Sequence, residues 1–105
     1  MLVLPNKSAQ VWEKFITENK VLVYKYIVRE INRNLSVNTE RIDLFKFEDN
    51  SMFAWIPRPK ILDTLEEAFK IFVKAEEYEY AQKTKDVIIK YKVDKVIEES
   101  TKIEE

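Results

Sequence analysis

The chain has 105 residues, of which 46% are apolar and 35% charged, and its formal net charge is −1. This length predicts a single domain that buries roughly 60 to 68% of the surface of its unfolded chain. Cysteine and histidine are both absent, which excludes disulfides, metal sites built on thiolate or imidazole, and Ser/His or Cys/His nucleophilic catalysis. The absence of glycine excludes the glycine-rich loops that hold dinucleotides and nucleoside triphosphates. It also predicts that Asn or Asp serves any position that needs a positive φ.

Two helices are predicted in the first third of the chain. Ser8 can cap the first, and one face of it carries Val11, Trp12, Phe15 and Ile16, which predicts a helix over about residues 8–18. The second follows from apolar residues spaced three and four apart, at Val21, Tyr24, Val28, Ile31 and Leu35. This periodicity outweighs the β-branched opening of the segment, and the polar stretch 32–39 closes the helix.

A β-hairpin is predicted in the middle of the chain. Residues 42–47 and 52–56 are two short runs rich in aromatic and β-branched residues. Asp49-Asn50 is the expected turn, because both side chains tolerate the left-handed region. A two-stranded hairpin alone is marginal in water, so we expect the face that carries Phe45, Phe47 and Trp55 to pack on helices.

Two further helices are predicted after the proline-rich turn at residues 57–59. The third helix begins at Pro59 or at Thr64, where a capping box is present, and ends near Ala75. The fourth begins around Glu77 or Tyr78 and continues past residue 91. A corner this short predicts that the two helices form an antiparallel hairpin.

The predicted fold class is therefore α+β, with two N-terminal helices, a β-hairpin and a C-terminal antiparallel helical hairpin. Within one compact domain, we expect an N-terminal part over residues 1–58 and the helical hairpin over 59–97. Residues 98–105 are acidic and polar, which predicts a frayed tail.

The corner between the last two helices carries a family pattern. From Glu76 onward the sequence reads Glu-Glu-Tyr-Glu-x-Ala-x-x-x-Lys-Asp-x-Ile. Residues 61–92 resemble the UVR motif of nucleotide-excision-repair subunits B and C and of bacterial Clp-protease regulators, a helical hairpin that pairs with another copy of itself. The matching positions are Glu76, Tyr78, Glu79, Ala81, Asp86 and Ile88. Thr84 and Lys85 depart from the family, which usually has Leu and Arg there, and an ammonium cannot bridge two acceptors as a guanidinium does. In composition the chain also resembles accessory proteins of bacteriophages with AT-rich genomes.

The fourth helix has more apolar positions than one neighbouring helix can cover. A first stripe is typical of a core that packs on the third helix: Tyr78, Ala81, Thr84, Ile88 and Tyr91. A second stripe lies on a different face and consists of Ile89, Val93 and Val96. This second stripe must meet either the N-terminal helices or another chain.

These patterns favour a non-enzymatic interaction protein. We expect its fourth helix and corner to bind another helical pair, either a second copy in a homodimer or a helix of a different protein. Apolar burial would supply the affinity, while Glu77 and the other charged residues would set the register at the rim. The candidate partner-binding residues are Tyr78, Glu79, Lys85, Asp86, Ile89, Val93 and Val96.

A nucleic-acid-binding regulator is the alternative interpretation. Residues 1–58 hold nine basic against seven acidic residues, a net charge of +2, whereas residues 59–105 hold nine against twelve, a net charge of −3. Phosphate could bind a basic stripe on the second helix and the segments after it, which together supply Lys25, Arg29, Arg33, Arg41, Arg58 and Lys60. Aromatic residues beside this stripe could stack on bases, although aromatic residues in a small domain are usually core.

We expect no catalytic site, metal or cofactor. Acidic residues cluster at 63–67 and 76–79, but helix N-termini favour Asp and Glu for structural reasons. No window approaches the roughly 18 uncharged apolar residues of a membrane span, and no basic segment precedes the apolar start as in a secretory signal. The sequence therefore predicts a cytoplasmic protein that does not bind membranes.

Overall fold

The computed structural model describes residues 1–36 and 39–104, with side chains described as far as Ile97. In chain order the elements are strand β1 (Leu2–Leu4), helices α1 (Ala9–Glu18) and α2 (Lys20–Asn34), strands β2 (Arg41–Phe47) and β3 (Met52–Pro57), a 3-10 turn (Arg58–Lys60), and helices α3 (Ile61–Lys74) and α4 (Tyr78–Glu104). The predicted α+β fold is confirmed, with two N-terminal helices, a β-hairpin, and two C-terminal helices that pack on each other. α4 continues through the backbone of residues 98–104. The side chains of the predicted acidic tail lie outside the described residues.

The sheet has a third strand that the sequence did not reveal. β1 pairs parallel to β2, with Leu2 opposite Phe45 and Leu4 opposite Phe47, and β2 lies between β1 and β3. The Tyr26 hydroxyl fixes this arrangement from α2. It accepts a hydrogen bond from the Leu2 amide at 2.9 Å and donates one to the Leu44 carbonyl at 2.5 Å. One side chain thus joins α2 to both strands.

The hairpin turn forms at the predicted position. Asn50 adopts a left-handed conformation with φ of 70°. The Asp49 carboxylate accepts hydrogen bonds from the Ser51 amide at 2.9 Å and the Ser51 hydroxyl at 2.6 Å. Short polar side chains therefore stabilise this turn, which has no glycine, through local hydrogen bonds.

The inward face of the hairpin differs from the prediction at Trp55. The pairing of β2 with β3 shifts register between Asp43 and Phe45, and this irregularity buries the consecutive residues Leu44 and Phe45. Trp55 pairs with Asp43 on the other face and is exposed. The expectation that Trp55 packs on helices is therefore wrong. It depends on a strict alternation of inward and outward side chains along the strands, and the bulge breaks this alternation. Ile42 and Ile56 fill the inward positions instead.

The core lies between the sheet, α2, α3 and the first half of α4. The side chains of Ile31, Ile61, Leu65 and Phe72 are completely buried. α3 begins at Ile61, between the two predicted starts, because the 3-10 turn precedes it. The Thr64 hydroxyl accordingly lies within the helix and donates to the Lys60 carbonyl at 2.8 Å.

The corner between α3 and α4 uses a glutamate where glycine is usual. Glu76 has a φ of 60°, its amide donates to the Val73 carbonyl at 3.1 Å, and the Glu77 amide donates to the Phe72 carbonyl at 2.8 Å. These two bonds are those of a Schellman motif, whose left-handed position favours glycine. The expectation that Asn or Asp occupies positions with a positive φ is confirmed at Asn50 and is wrong at Glu76. Two satisfied backbone groups offset the cost of the left-handed residue.

Candidate functional site: the outer face of α4 and an adjoining basic groove

One face of α4 is part of the core. Ala81, Thr84, Val87 and Tyr91 are buried at spacings of three and four residues, and Ile88 is half-buried. The Thr84 hydroxyl is satisfied because it donates to the Tyr80 carbonyl at 2.7 Å. Four of the five predicted inward residues therefore face the core. Tyr78 does not, since its side chain is exposed. Val87 also belongs to this face, although the predicted inward stripe does not include it.

The opposite face of α4 carries the second apolar stripe, and this stripe is exposed. Ile89, Val93 and Val96, called the outer stripe below, are 54%, 51% and 60% exposed. Val87, two residues before Ile89 and half a helical turn away, is 4% exposed. α2 and α3 thus both pack on the inner side of α4, and the N-terminal helices do not cover the outer stripe.

The other predicted partner-binding residues precede this stripe along α4. Tyr78, Glu79, Lys85 and Asp86 are all exposed on α4. The Asp86 carboxylate accepts a hydrogen bond from the Gln82 amide nitrogen at 3.0 Å. Glu77 is used within the chain, because its carboxylate bonds to the Lys25 ammonium at 3.0 Å.

A groove lies beside α4 and above the outer face of α2. It has a volume of about 1080 Å³ and is walled by α1 on one side and α4 on the other. Apolar side chains from α1 and α2 line it, Phe15 and Leu22 among them, and both are exposed. α1 itself buries no residue completely. Its apolar face therefore forms a wall of the groove, and Ile16 on that face packs against the core.

Two of the six predicted nucleic-acid-binding residues face this groove. Lys25 and Arg29 of α2 line it together with Lys83 and Lys90 of α4. The Lys25 and Lys83 ammonium groups lie 4.5 Å and 4.8 Å from the centre of the Tyr80 ring. The contributions from α4 were not predicted, since they depend on how two distant segments pack.

Three of the four remaining basic candidates have contacts elsewhere in the chain. Arg33 lies 3.7 Å from the buried Glu30 carboxylate, and Arg41 pairs with Asp43 at 2.9 Å. The Arg58 guanidinium donates to the Thr39 carbonyl at 2.7 Å. Lys60 is exposed in the 3-10 turn.

Four aromatic rings pack together between α2 and the sheet. The ring centroids of Tyr26 and Phe45 are 5.1 Å apart, and Phe53 lies 6.4 Å from Phe45 and 5.5 Å from Phe47. Trp55 is exposed, with the Arg41 guanidinium 5.7 Å from its ring. The rings between α2 and the sheet thus contribute to stability.

Three ionisable groups outside α4 have shifted pKa values. Burial raises the pKa of Tyr26 above its usual 10.0. The pKa of Tyr24 is also raised, mainly by burial and in addition by the negative charge of the nearby Glu67 carboxylate. Hydrogen bonds from Ser51 lower the pKa of Asp49 in the exposed turn. Each shift reflects local packing or turn formation.

Within residues 1–36 and 39–104, no cluster of three or more acidic, histidine or cysteine residues is arranged to hold a metal ion. None of the helices in that part of the chain is long and apolar enough to cross a membrane. No protein-family model, curated protein or solved structure gives a significant match to the sequence or fold.

Proposed function

We propose that this chain is a non-enzymatic interaction module that binds a helical partner through the outer face of α4. The observation that carries the proposal is the exposure of the outer stripe. Exposed apolar residues scattered singly are normal. Here three β-branched side chains follow one another at spacings of four and three on a single helix face, which is the pattern of a helix-packing seam.

The energetics indicate the role of the outer stripe in such an interface. Complete burial of an aliphatic side chain of this size is worth about 1.5–3 kcal/mol. Each of the three is already about half buried, so burial of the remaining surface would together contribute about 2.5–5 kcal/mol. That contribution suits the centre of an interface. A stable complex also requires the surrounding surface of α4.

The resemblance to the UVR motif supports the same surface. It implies that the α3–α4 hairpin pairs with another helical hairpin, and the exposed positions Tyr78, Glu79, Lys85 and Asp86 would lie at the rim of that contact. In this proposal Glu77 holds the corner against α2 and does not reach the partner. A cytoplasmic location and a role as a small regulator, as in phage accessory proteins, belong to this proposal.

The substitutions Ile89→Asp and Val87→Asp form a matched pair that tests it. Ile89→Asp places a carboxylate on the exposed face and should lower the free energy of unfolding by about 1 kcal/mol, because only the buried half of the isoleucine side chain is lost. Val87→Asp buries an unpaired charge and should unfold the chain. Light scattering measures self-association, and affinity capture followed by mass spectrometry measures binding to other proteins. We expect Ile89→Asp to stay folded and to lose the associated species. Unchanged mass together with an unchanged set of captured proteins would refute the proposal.

Nucleic-acid binding is a second candidate, and one observation favours it. Lys25 and Arg29 line the same groove as Lys83 and Lys90, which concentrates four cationic side chains from two helices. Binding to phosphate would weaken steeply as salt rises. A mobility-shift assay of the wild type and Arg29→Glu with single-stranded RNA and duplex DNA, at two salt concentrations, tests this. The absence of a salt-sensitive shift at micromolar protein would exclude it.

A further inference from the structure

The exposed face of α4 follows a heptad spacing. Its residues alternate steps of four and three from Gln82 to Val96, and we call them the seam: Gln82, Asp86, Ile89, Val93 and Val96. The seam extends for about 21 Å along the helix at 1.5 Å per residue. Its first two members are polar and its last three apolar. A regular four-three repeat keeps one line of side chains facing a second helix, as in coiled coils.

Lysines border the seam on both sides. Lys85 and Lys92 immediately precede seam residues on one side, and Lys83 and Lys90 immediately follow seam residues on the other. All four, called the flanking lysines below, have exposed side chains. In a two-helix seam these are the positions that set partner choice and orientation by charge.

The flanking lysines have no carboxylate partner within the part of the chain that the structure describes. Lys83 lies over the Tyr80 ring at 4.8 Å, and Lys90 donates to the Asn32 carbonyl at 3.2 Å. The groove on the side of Lys83 and Lys90 adds Lys25 and Arg29. Asp86 is the single acidic residue of the seam. The outer stripe therefore lies within a positive border.

This charge distribution favours some helical partners of the seam over others. Two α4 helices packed in parallel along the seam would place Lys85 of one opposite Lys90 of the other, and like charges at such positions oppose association. Of the two orientations, a second copy avoids this contact only in the antiparallel one. An acidic amphipathic helix would neutralise the flanking lysines in either direction.

We infer that the seam binds an amphipathic helix of a different protein, with apolar residues at its own seam positions and Glu or Asp on both flanks. This inference rests on the proposed function and specifies the chemistry of the partner. The apolar contacts would hold the complex, and the acidic flanks would select this partner over a second copy. Association would then be fastest at low salt, since screening weakens charges at an exposed rim.

Two synthetic helical peptides of three heptads test the inference with the full chain. Both carry Ile and Val at their seam positions, and they differ only in having Glu or Lys on the flanks. Fluorescence anisotropy measures their binding to the wild type, to Ile89→Asp, and to Lys85→Glu/Lys92→Glu. The double variant Lys70→Glu/Lys74→Glu changes two exposed lysines of α3, so it has the same net charge away from the seam.

We expect the Glu peptide to bind the wild type and the Lys peptide to bind at least about tenfold more weakly, as rim ion pairs with the four flanking lysines imply. Lys85→Glu/Lys92→Glu should reduce or reverse this preference, whereas Lys70→Glu/Lys74→Glu should keep it. Ile89→Asp should abolish binding of the Glu peptide.

Equal binding of both peptides, or the same loss in both double variants, would overturn the inference while leaving the outer face of α4 as a docking surface. A dimer that Ile89→Asp dissociates, together with no peptide binding, would show that the occupant is a second copy. Binding of neither peptide, with a monomeric chain and no Ile89-dependent partner, would refute the proposed function itself.

Discussion

Replacing Tyr26 with Phe tests how β1 is attached to the fold. The Tyr26 hydroxyl is the atom through which α2 contacts both β1 and β2, by its bonds to the Leu2 amide and the Leu44 carbonyl. Phenylalanine keeps the ring that packs against Phe45 and removes only these bonds. The substitution therefore isolates their contribution from that of the aromatic core.

The expected cost follows from the surroundings of the two partners. An intramolecular hydrogen bond contributes about 0.5–1.5 kcal/mol net. The Leu2 amide is exposed and can bond to water, whereas the bond to the Leu44 carbonyl is partly buried. We therefore expect Tyr26→Phe to lower the free energy of unfolding by about 1–2 kcal/mol at pH 7. For a chain of this size that lowers the melting temperature by about 4–16 °C.

The same substitution has a defined pH dependence. Burial raises the pKa of Tyr26 in the folded chain above its unfolded value of 10.0. A raised folded-state pKa means that this contribution to stability is fully present below pH 10 and is lost as the pH rises through the folded value. Tyr26→Phe lacks this contribution, so its deficit relative to the wild type should shrink as the pH rises above 10.

Circular dichroism melts at pH 7 and pH 11 provide the measurement. Tyr78→Phe is the control, because Tyr78 is exposed and has no resolved role in the core; its melt should match the wild type at pH 7. Equal melting temperatures for the two variants at pH 7 would refute the structural argument. A deficit of Tyr26→Phe that grows with pH would refute the assigned sign of the pKa effect.

Two further substitutions test the helical hairpin. Phe72 is completely buried and its ring lies 5.7 Å from that of Tyr80. Phe72→Ala should therefore lower the free energy of unfolding, measured in urea, by about 3–5 kcal/mol, whereas Val73→Ala at the exposed neighbour should lower it by under about 1 kcal/mol. Similar losses for the two variants would contradict the orientation of α3. Glu76→Gly should raise stability by up to about 1 kcal/mol, because glycine adopts the left-handed position without strain. Lys85→Gly in the interior of α4 should instead lower it by about 1 kcal/mol, and a loss at both sites would rule out a left-handed Glu76.

Features that depend on neighbours in sequence could be predicted. The two stripes of α4 follow from spacing along one helix, and the Asp49-Asn50 turn follows from the conformational tolerance of two adjacent residues. Apart from Tyr78, which is exposed, and Val87, which is buried, the residues of both features were found where the pattern placed them. The helices of the hairpin were found for the same reason, with starts that differ by a few residues.

Features that depend on distant segments could not be predicted. β1 has three residues, too few to show a strand pattern, and its partner is about 40 residues away in the chain. The exposure of Trp55 depends on a bulge in β2, which shifts the alternation by one residue. The groove joins Lys25 to Lys83 only because α2 and α4 pack side by side.

Packing of α2 and α3 on one side of α4 leaves its outer face exposed, and α4 also extends beyond α3. α3 has 14 residues and α4 has 27, so α3 can cover only about half of its neighbour. Among the side chains described as far as Ile97, the last one of α4 that is buried is Tyr91. Beyond Tyr91 the described side chains are largely exposed. An uncovered helical end in water is marginal, because its stability then depends on propensity and not on packing. A helix bound along Ile89, Val93 and Val96 would supply the missing packing, so partner binding should protect the backbone amides after Tyr91 from hydrogen exchange more than those of the first half of α4.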